Sequence, residues 1–174
     1  MSDKHLSSQF DSELSAVSAR VMEMGGQVES QIRSAVLALA QFNGDAADAV
    51  TQAEPQVNAM EVEIDRELSS IIARRQPTAR DLRLLIAISK TTANLERAGD
   101  EAVKIARMVR SIIHSESSRT LPAFELKVGA DLASALLHKA LDAFARLDVS
   151  AALSILKEDN AIDQEFNGFV RKLI

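Results

Sequence analysis

From Leu85 to Ile113, small and apolar side chains recur at Leu85, Ile88, Thr92, Leu95, Gly99, Ala102, Ala106, Val109 and Ile113. Steps of three and four alternate, and an α-helix advances about 100° per residue, so all nine fall on one stripe. Such a seam is stable only when other helices cover it. The rest of the chain repeats the message. Gly (6) and Pro (3) are scarce in 174 residues, and Tyr and Trp, both strand formers, are absent. With 47% hydrophobic residues the chain has ample material for a core, and the expected fold class is all-α.

Five helical stretches follow from the punctuation. The first spans about 8–42 and ends at the turn Asn43-Gly44-Asp45. The second spans about 45–75, is interrupted by Pro55, and ends at Gln76-Pro77. Thr78 stands three residues ahead of Asp81 in a capping-box pattern and opens the third, which runs to about His114. The polar run 115–122 reads as a linker. A fourth helix covers about 123–147, and Asp148 caps a fifth that runs to Ile174.

The chain also repeats itself at a shift of 105 residues. Ala35, Ala38 and Ala40 fall on Ala140, Ala143 and Ala145; Val50, Val57 and Ile64 fall on Ile155, Ile162 and Phe169; Glu54 falls on Asp159. Ordered apolar and acidic matches point to duplication. The expected organisation is a first three-helix repeat over 1–114, the linker 115–122, and an incomplete second repeat over 123–174 that lacks its last helix.

Several functional classes are excluded. Without cysteine there can be no disulfide, zinc finger or thiolate nucleophile. A net charge of −5 and 3% aromatic residues make a poor nucleic-acid surface. Neither a leader-like apolar segment nor a run of about 20 apolar residues occurs, so the expected location is the cytoplasm. None of His5, His114 and His138 follows a Glu at the spacing of a ferritin-like di-iron site. No phosphate-binding glycine loop and no nucleophile elbow occurs. The chain is expected not to be an enzyme.

The chemistry that remains is carboxylate chemistry. Asn58, Glu61 and Asp65 fall within an arc of roughly 60° on the second helix, beside Val57, Leu68 and Ile72. Glu96 and Asp100 lie about 40° apart on the third. If the two helices pack antiparallel, Glu61, Asp65, Glu96 and Asp100 can meet in an all-oxygen cage suited to Fe³⁺, Mn²⁺, Mg²⁺ or Ca²⁺. The competing arrangement is a salt-bridge network with Arg66, Arg97, Lys104 and Arg107. Arg74, Arg75, Arg80 and Arg83 surround the Pro77 turn, either as a patch for an acidic partner or for an anion at a helix N-terminus, or as ordinary solvated charge.

Four segments together resemble the PhoU phosphate-signalling regulators: Met22-Glu23-Met24-Gly25-Gly26, Asn58-Ala59-Met60-Glu61-Val62-Glu63-Ile64-Asp65, Arg75-Gln76-Pro77-Thr78-Ala79-Arg80-Asp81-Leu82-Arg83 and Leu95-Glu96-Arg97-Ala98-Gly99-Asp100. The resemblance runs in register through Glu158-Asp159-Asn160-Ala161-Ile162-Asp163-Gln164-Glu165. It implies tandem three-helix bundles, here with the second bundle lacking its last helix. It implies a negative regulator of the phosphate-starvation response that couples the phosphate ABC transporter to its sensor histidine kinase and modulates phosphate uptake, peripheral to those membrane proteins. It also implies a metal, with iron, zinc, manganese or magnesium as candidates, held by Glu61, Asp65, Glu96 and Asp100, with Asp159 and Asp163 as the second-copy acids. The second-copy positions of Glu61 and Asp65 are Phe166 and Val170, and Lys104 stands where some copies of the motif carry Asn, so this chain departs from the pattern there. A carboxylate-bridged metal enzyme and a metal-free helical scaffold are the alternatives. The missing helix would leave the fourth and fifth helices with an uncovered apolar face, so a homo-oligomer, most simply a dimer, is expected.

Overall fold

A computed structural model describes the backbone of residues 2–115 and 123–173, and the side chains of 8–115, 127–160, 162–164, 167 and 168. The described residues form five α-helices: α1 Ser2–Gln41, α2 Gly44–Arg75, α3 Ala79–His114, α4 Ala123–Arg146 and α5 Val149–Leu173. The expected boundaries hold to within a few residues, except that α1 begins earlier. Most of the expected linker lies outside the described residues. None of the described helices is long and apolar enough to cross a membrane.

Eight of the nine seam positions on α3 are buried; Ile113, near the helix end, is exposed. Thr92 sits inside the seam because its hydroxyl donates to the Ile88 carbonyl one turn back, at 3.0 Å. Pro55 does not break α2. Its ring lies on the exposed side of the helix, where a carbonyl deprived of its helical donor can turn to water.

The chain divides into two compact units, and both draw on the three long helices. Residues 1–28 and 54–100 make the first. Its core is built from large aliphatic side chains, among them Val17, Val21, Met24, Ile64, Ile71, Leu85 and Ile88. Each such side chain stabilises the fold by about 1.5–3 kcal/mol on burial. Residues 29–53 and 101–174 make the second. Its central cluster is mostly alanine, with Ala35, Ala38, Ala47, Ala102 and Ala106 beside Val50, Val103 and Val109. Small side chains let helix axes approach closely. Gln31 is buried there with neither amide atom bonded to a protein group.

The α1–α2 and α4–α5 turns match atom for atom at the 105-residue shift. Phe42 and Leu147 both take positive φ, 49° and 52°. Asn43 N donates to the Ala38 carbonyl at 3.0 Å, and Asp148 N to the Ala143 carbonyl at 2.9 Å. These are Schellman closures of α1 and α4, with a non-glycine residue in the left-handed position. The same two residues then cap the next helix. Asn43 Oδ1 accepts from Ala46 N at 3.1 Å and Asp148 Oδ1 from Ala151 N at 2.9 Å. Gly44, expected in the turn, therefore opens α2 instead.

Because each cap satisfies an otherwise orphaned helical N–H, Asn43→Ala and Asp148→Ala are each expected to lower stability by about 0.5–2 kcal/mol. Urea unfolding followed by circular dichroism reads the loss directly. A cap variant with unchanged unfolding midpoint and slope would show that the turn is held by packing alone.

Candidate functional site

All four predicted acids lie in the first compact unit. Glu61 and Asp65 stand one turn apart on α2, and Glu96 and Asp100 one turn apart on α3. They flank the core without entering it: Val57, Ile64, Leu68, Leu95 and Gly99 are buried, Glu61, Glu96 and Asp100 are half-buried, and Asp65 is exposed. Ile72, expected on the same stripe, is also exposed. Asp65 Oδ1 accepts a hydrogen bond from Ser89 Oγ at 3.2 Å, which ties α2 to α3 beside the cluster.

The four carboxylates share one electrostatic field. Partial burial, and then the negative charges of Glu96, Asp65 and Asp100, push the Glu61 carboxyl above the ordinary carboxylate range. Among the described residues none of the four makes an ion pair, and neither Arg66 nor Arg97 pairs with an acid. Lys104 instead binds Glu101 at 2.8 Å. Arg66 and Arg97, two of the cations that competed for the acids in the sequence, thus do not pair with them among the described residues.

A donor set of mutually repelling carboxylate oxygens has the chemistry of a hard-cation site. The geometry stops short of that. Among the described residues no three acidic or histidine side chains converge closely enough to hold one ion. Asp159 and Asp163 are exposed on α5, in the second unit. The side chains of Phe166 and Val170 lie outside the described residues.

The arginines near Pro77 are divided. Arg75 donates to Glu13 of α1 through Nη2 at 2.8 Å and Nε at 3.1 Å, and Arg74 Nη1 adds a third contact at 3.3 Å. The Arg75 hydrogen bond holds the Glu13 carboxyl below its ordinary range and raises the Arg75 guanidinium in return. Arg74 and Arg75 thus clasp α1, while Arg80 and Arg83 stand exposed on the first turns of α3. The pattern of arginines around the turn gives no hint of Glu13, which lies 62 residues from Arg75.

Two further features were not evident in the sequence. A shallow groove of about 530 Å³ runs along α2, lined by Glu54, Pro55, Asn58, Val62 and Arg66 among others. Asn58, expected beside the acids, lines this groove instead. In the second unit His138 Nδ1 on α4 lies 3.0 Å from Glu29 Oε1 on α1.

The raised pKa of Glu61 fixes the sign of a pH effect. The folded state holds this proton more tightly than the unfolded chain, so ionising Glu61 opposes folding. Stability falls as pH rises from about 4.5 through the raised value. Glu61→Gln keeps the shape and removes the charge. It should melt at a higher temperature than the parent at pH 7, with the gain vanishing below about pH 4. Thermal melts across that range, in the presence of a chelator, would expose an equal or lower melting temperature at pH 7 as a contradiction.

With this geometry in view, known proteins give a consistent answer. The PhoU domain profile matches residues 21–109. The phosphate-specific transport system accessory protein PhoU homolog of a Burkholderia species is 45% identical over the whole chain, which spans 74% of that protein's length. The phosphate-specific transport system accessory protein PhoU of Escherichia coli K12 is 44% identical over 99% of the chain and 70% of its own length. The crystal structure of PhoU from Pseudomonas aeruginosa superposes with a TM-score of 0.89 at 40% identity, covering 94% of this chain and 78% of that one. That of the phosphate transport system regulatory protein PhoU from Streptococcus pneumoniae gives 0.82 at 28% identity, covering 91% and 74%. Accessory and regulatory roles are not enzymatic ones, in line with the expectation that the chain is no catalyst. On the agreement of sequence, profile and fold, the chain belongs to the PhoU family.

Proposed function

We propose that the chain is a cytoplasmic negative regulator of the phosphate-starvation response, coupling the phosphate ABC transporter to its sensor histidine kinase and modulating phosphate uptake. The observation that carries this reading is the 44% identity, over nearly the entire chain, to an accessory protein of the phosphate-specific transport system. The repeated turns support a first repeat over 1–114 and a second over 123–174. None of the described helices is long and apolar enough to cross a membrane.

Within that role the acids of α2 and α3 are a cation-responsive face. Their mutual repulsion supports it: a divalent ion drawn to Glu61, Asp65, Glu96 and Asp100 would relieve a repulsion that no ion pair among the described residues relieves. Iron, zinc, manganese and magnesium are the candidates, with Asp159 and Asp163 as weaker acids in the second copy. Binding would require the side chains to turn inward, which half-buried and exposed carboxylates can do at modest cost.

Two measurements test this. In a strain lacking the chromosomal gene, the chain should restore repression of phosphate-starvation genes in phosphate-rich medium. Unchanged derepression would refute the regulatory reading. Protein purified without chelator should carry metal by elemental analysis and lose melting temperature with EDTA, and the paired variant Glu96→Ala, Asp100→Ala should show neither effect. A parent protein free of metal and indifferent to EDTA would identify a metal-free scaffold instead.

A further inference from the structure

Of the four arginines around Pro77, Arg74 and Arg75 are occupied by Glu13, while Arg80 and Arg83 stand exposed on α3. These two begin a line of cations that continues along the outside of the helix to Lys90 and Arg97. At about 100° per residue, Arg80, Arg83, Ala87, Lys90, Asn94 and Arg97 fall within one arc of about 100°, and all six are exposed. Nine residues are exposed over 79–97; four of them are cations and none is an acid. Glu96 and Asp100 fall outside the arc.

The stripe departs from the rest of the surface. The chain carries a net charge of −5, so an even mixture would set acids among these cations. Elsewhere cations find acids nearby: Arg33 reaches Glu29, Lys127 reaches Asp131, and Arg146 reaches Asp142. Among the described residues Arg80, Arg83, Lys90 and Arg97 make no ion pair. The first acid on their line, Glu101, is held by Lys104 at 2.8 Å. Arg80 and Arg83, three residues apart, repel one another. Acidic groups laid along the stripe relieve that repulsion.

Spacing selects the partner. From Arg80 to Arg97 the helix rises about 26 Å, too far for the cations to converge on one small anion. A bilayer surface calls for large apolar side chains beside the cations, to enter the headgroup region. Ala87 and Asn94 stand there instead, and Ile86, 46% exposed, is the single large apolar side chain exposed over 79–97. Single-stranded nucleic acid stacks on aromatic rings, and α3 has none. A second helix fits. Arg83, Lys90 and Arg97 recur every seven residues, two helical turns or roughly 10.5 Å, so a helix alongside with acids at the same interval meets all three. Ala87 and Asn94 fall between them at steps of four and three, where short side chains let a partner's backbone approach.

We propose that the Arg80, Arg83, Lys90 and Arg97 stripe of α3 docks an acidic helix of a protein partner, held chiefly by charge. Such attraction speeds encounter and fades as salt rises.

The probe is a fluorescently labelled, alanine-based stapled helix with glutamate at every seventh position, and binding to the intact chain is read by anisotropy. Binding should be clear at roughly 50 mM salt and weaken steeply by roughly 200 mM. The same helix with glutamine in place of glutamate should not bind. Arg83→Gln, Lys90→Gln and Arg97→Gln together should weaken binding about tenfold or more, with an unchanged circular dichroism spectrum because all three side chains are exposed. Arg33→Gln, Lys127→Gln and Lys157→Gln together remove the same charge from exposed positions of the second unit and should leave binding intact. Absence of binding at low salt overturns the proposal, and so does an equal loss in the two triple variants, which would trace the binding to net charge alone. Co-sedimentation with phosphatidylglycerol–phosphatidylcholine vesicles supplies the last arm. Vesicle binding that the stripe variant abolishes would assign the stripe to a membrane surface and overturn the proposal; no stripe-dependent vesicle binding is expected. None of these readouts involves gene regulation, so their failure leaves the regulatory reading standing.

Discussion

The seam of α3 is the contact on which the fold depends. Leu85, Ile88, Thr92, Leu95 and Gly99 belong to the first compact unit, and Ala102, Ala106 and Val109 to the second. One helix thus closes both units. In the first it meets bulky aliphatic side chains, and in the second a wall of alanines. Burial of a few large side chains supplies stabilisation in the one; close approach of backbones supplies it in the other.

The acidic face follows from this packing. Because Ile64 and Leu68 of α2 and Leu95 and Gly99 of α3 must be buried, residues on either side of them are carried to the rim of the interface. Four carboxylates sit on that rim, and among the described residues none of the four makes an ion pair. An ordinary surface would have paired them; Glu13, by contrast, is gripped by two arginines. A like-charge cluster of this kind lowers stability.

Much of the architecture was legible from residue spacing. Helix type, four of the five expected helix starts and the capping role of Asp148 follow from local chemistry, in which each residue answers to neighbours within one turn, while Thr78, expected to cap α3, donates its hydroxyl to Asp81 Oδ2 at 3.0 Å. The resemblance to PhoU regulators rested on motifs of the same local kind. What spacing could not supply was the conformation of Phe42 and Leu147. A left-handed residue at a helix end normally declares itself as glycine, and here the Schellman closure is formed without one. Gly44 was misread as the turn for that reason.

The sequence by itself determined which residues share a helical face, because a period of about 3.6 residues is a property of the backbone alone. It therefore determined the α3 seam, the pairing of Glu61 with Asp65 and of Glu96 with Asp100, and the 105-residue repeat. Only the tertiary structure decided which charges meet. It set Glu13 between Arg74 and Arg75, gave Arg66 and Arg97 no ion pair to the four acids among the described residues, and brought the two acidic pairs into one field. Contacts between helices depend on axial register and rotation, and these are settled by how the buried side chains of all the helices interlock. No short stretch of sequence carries that information.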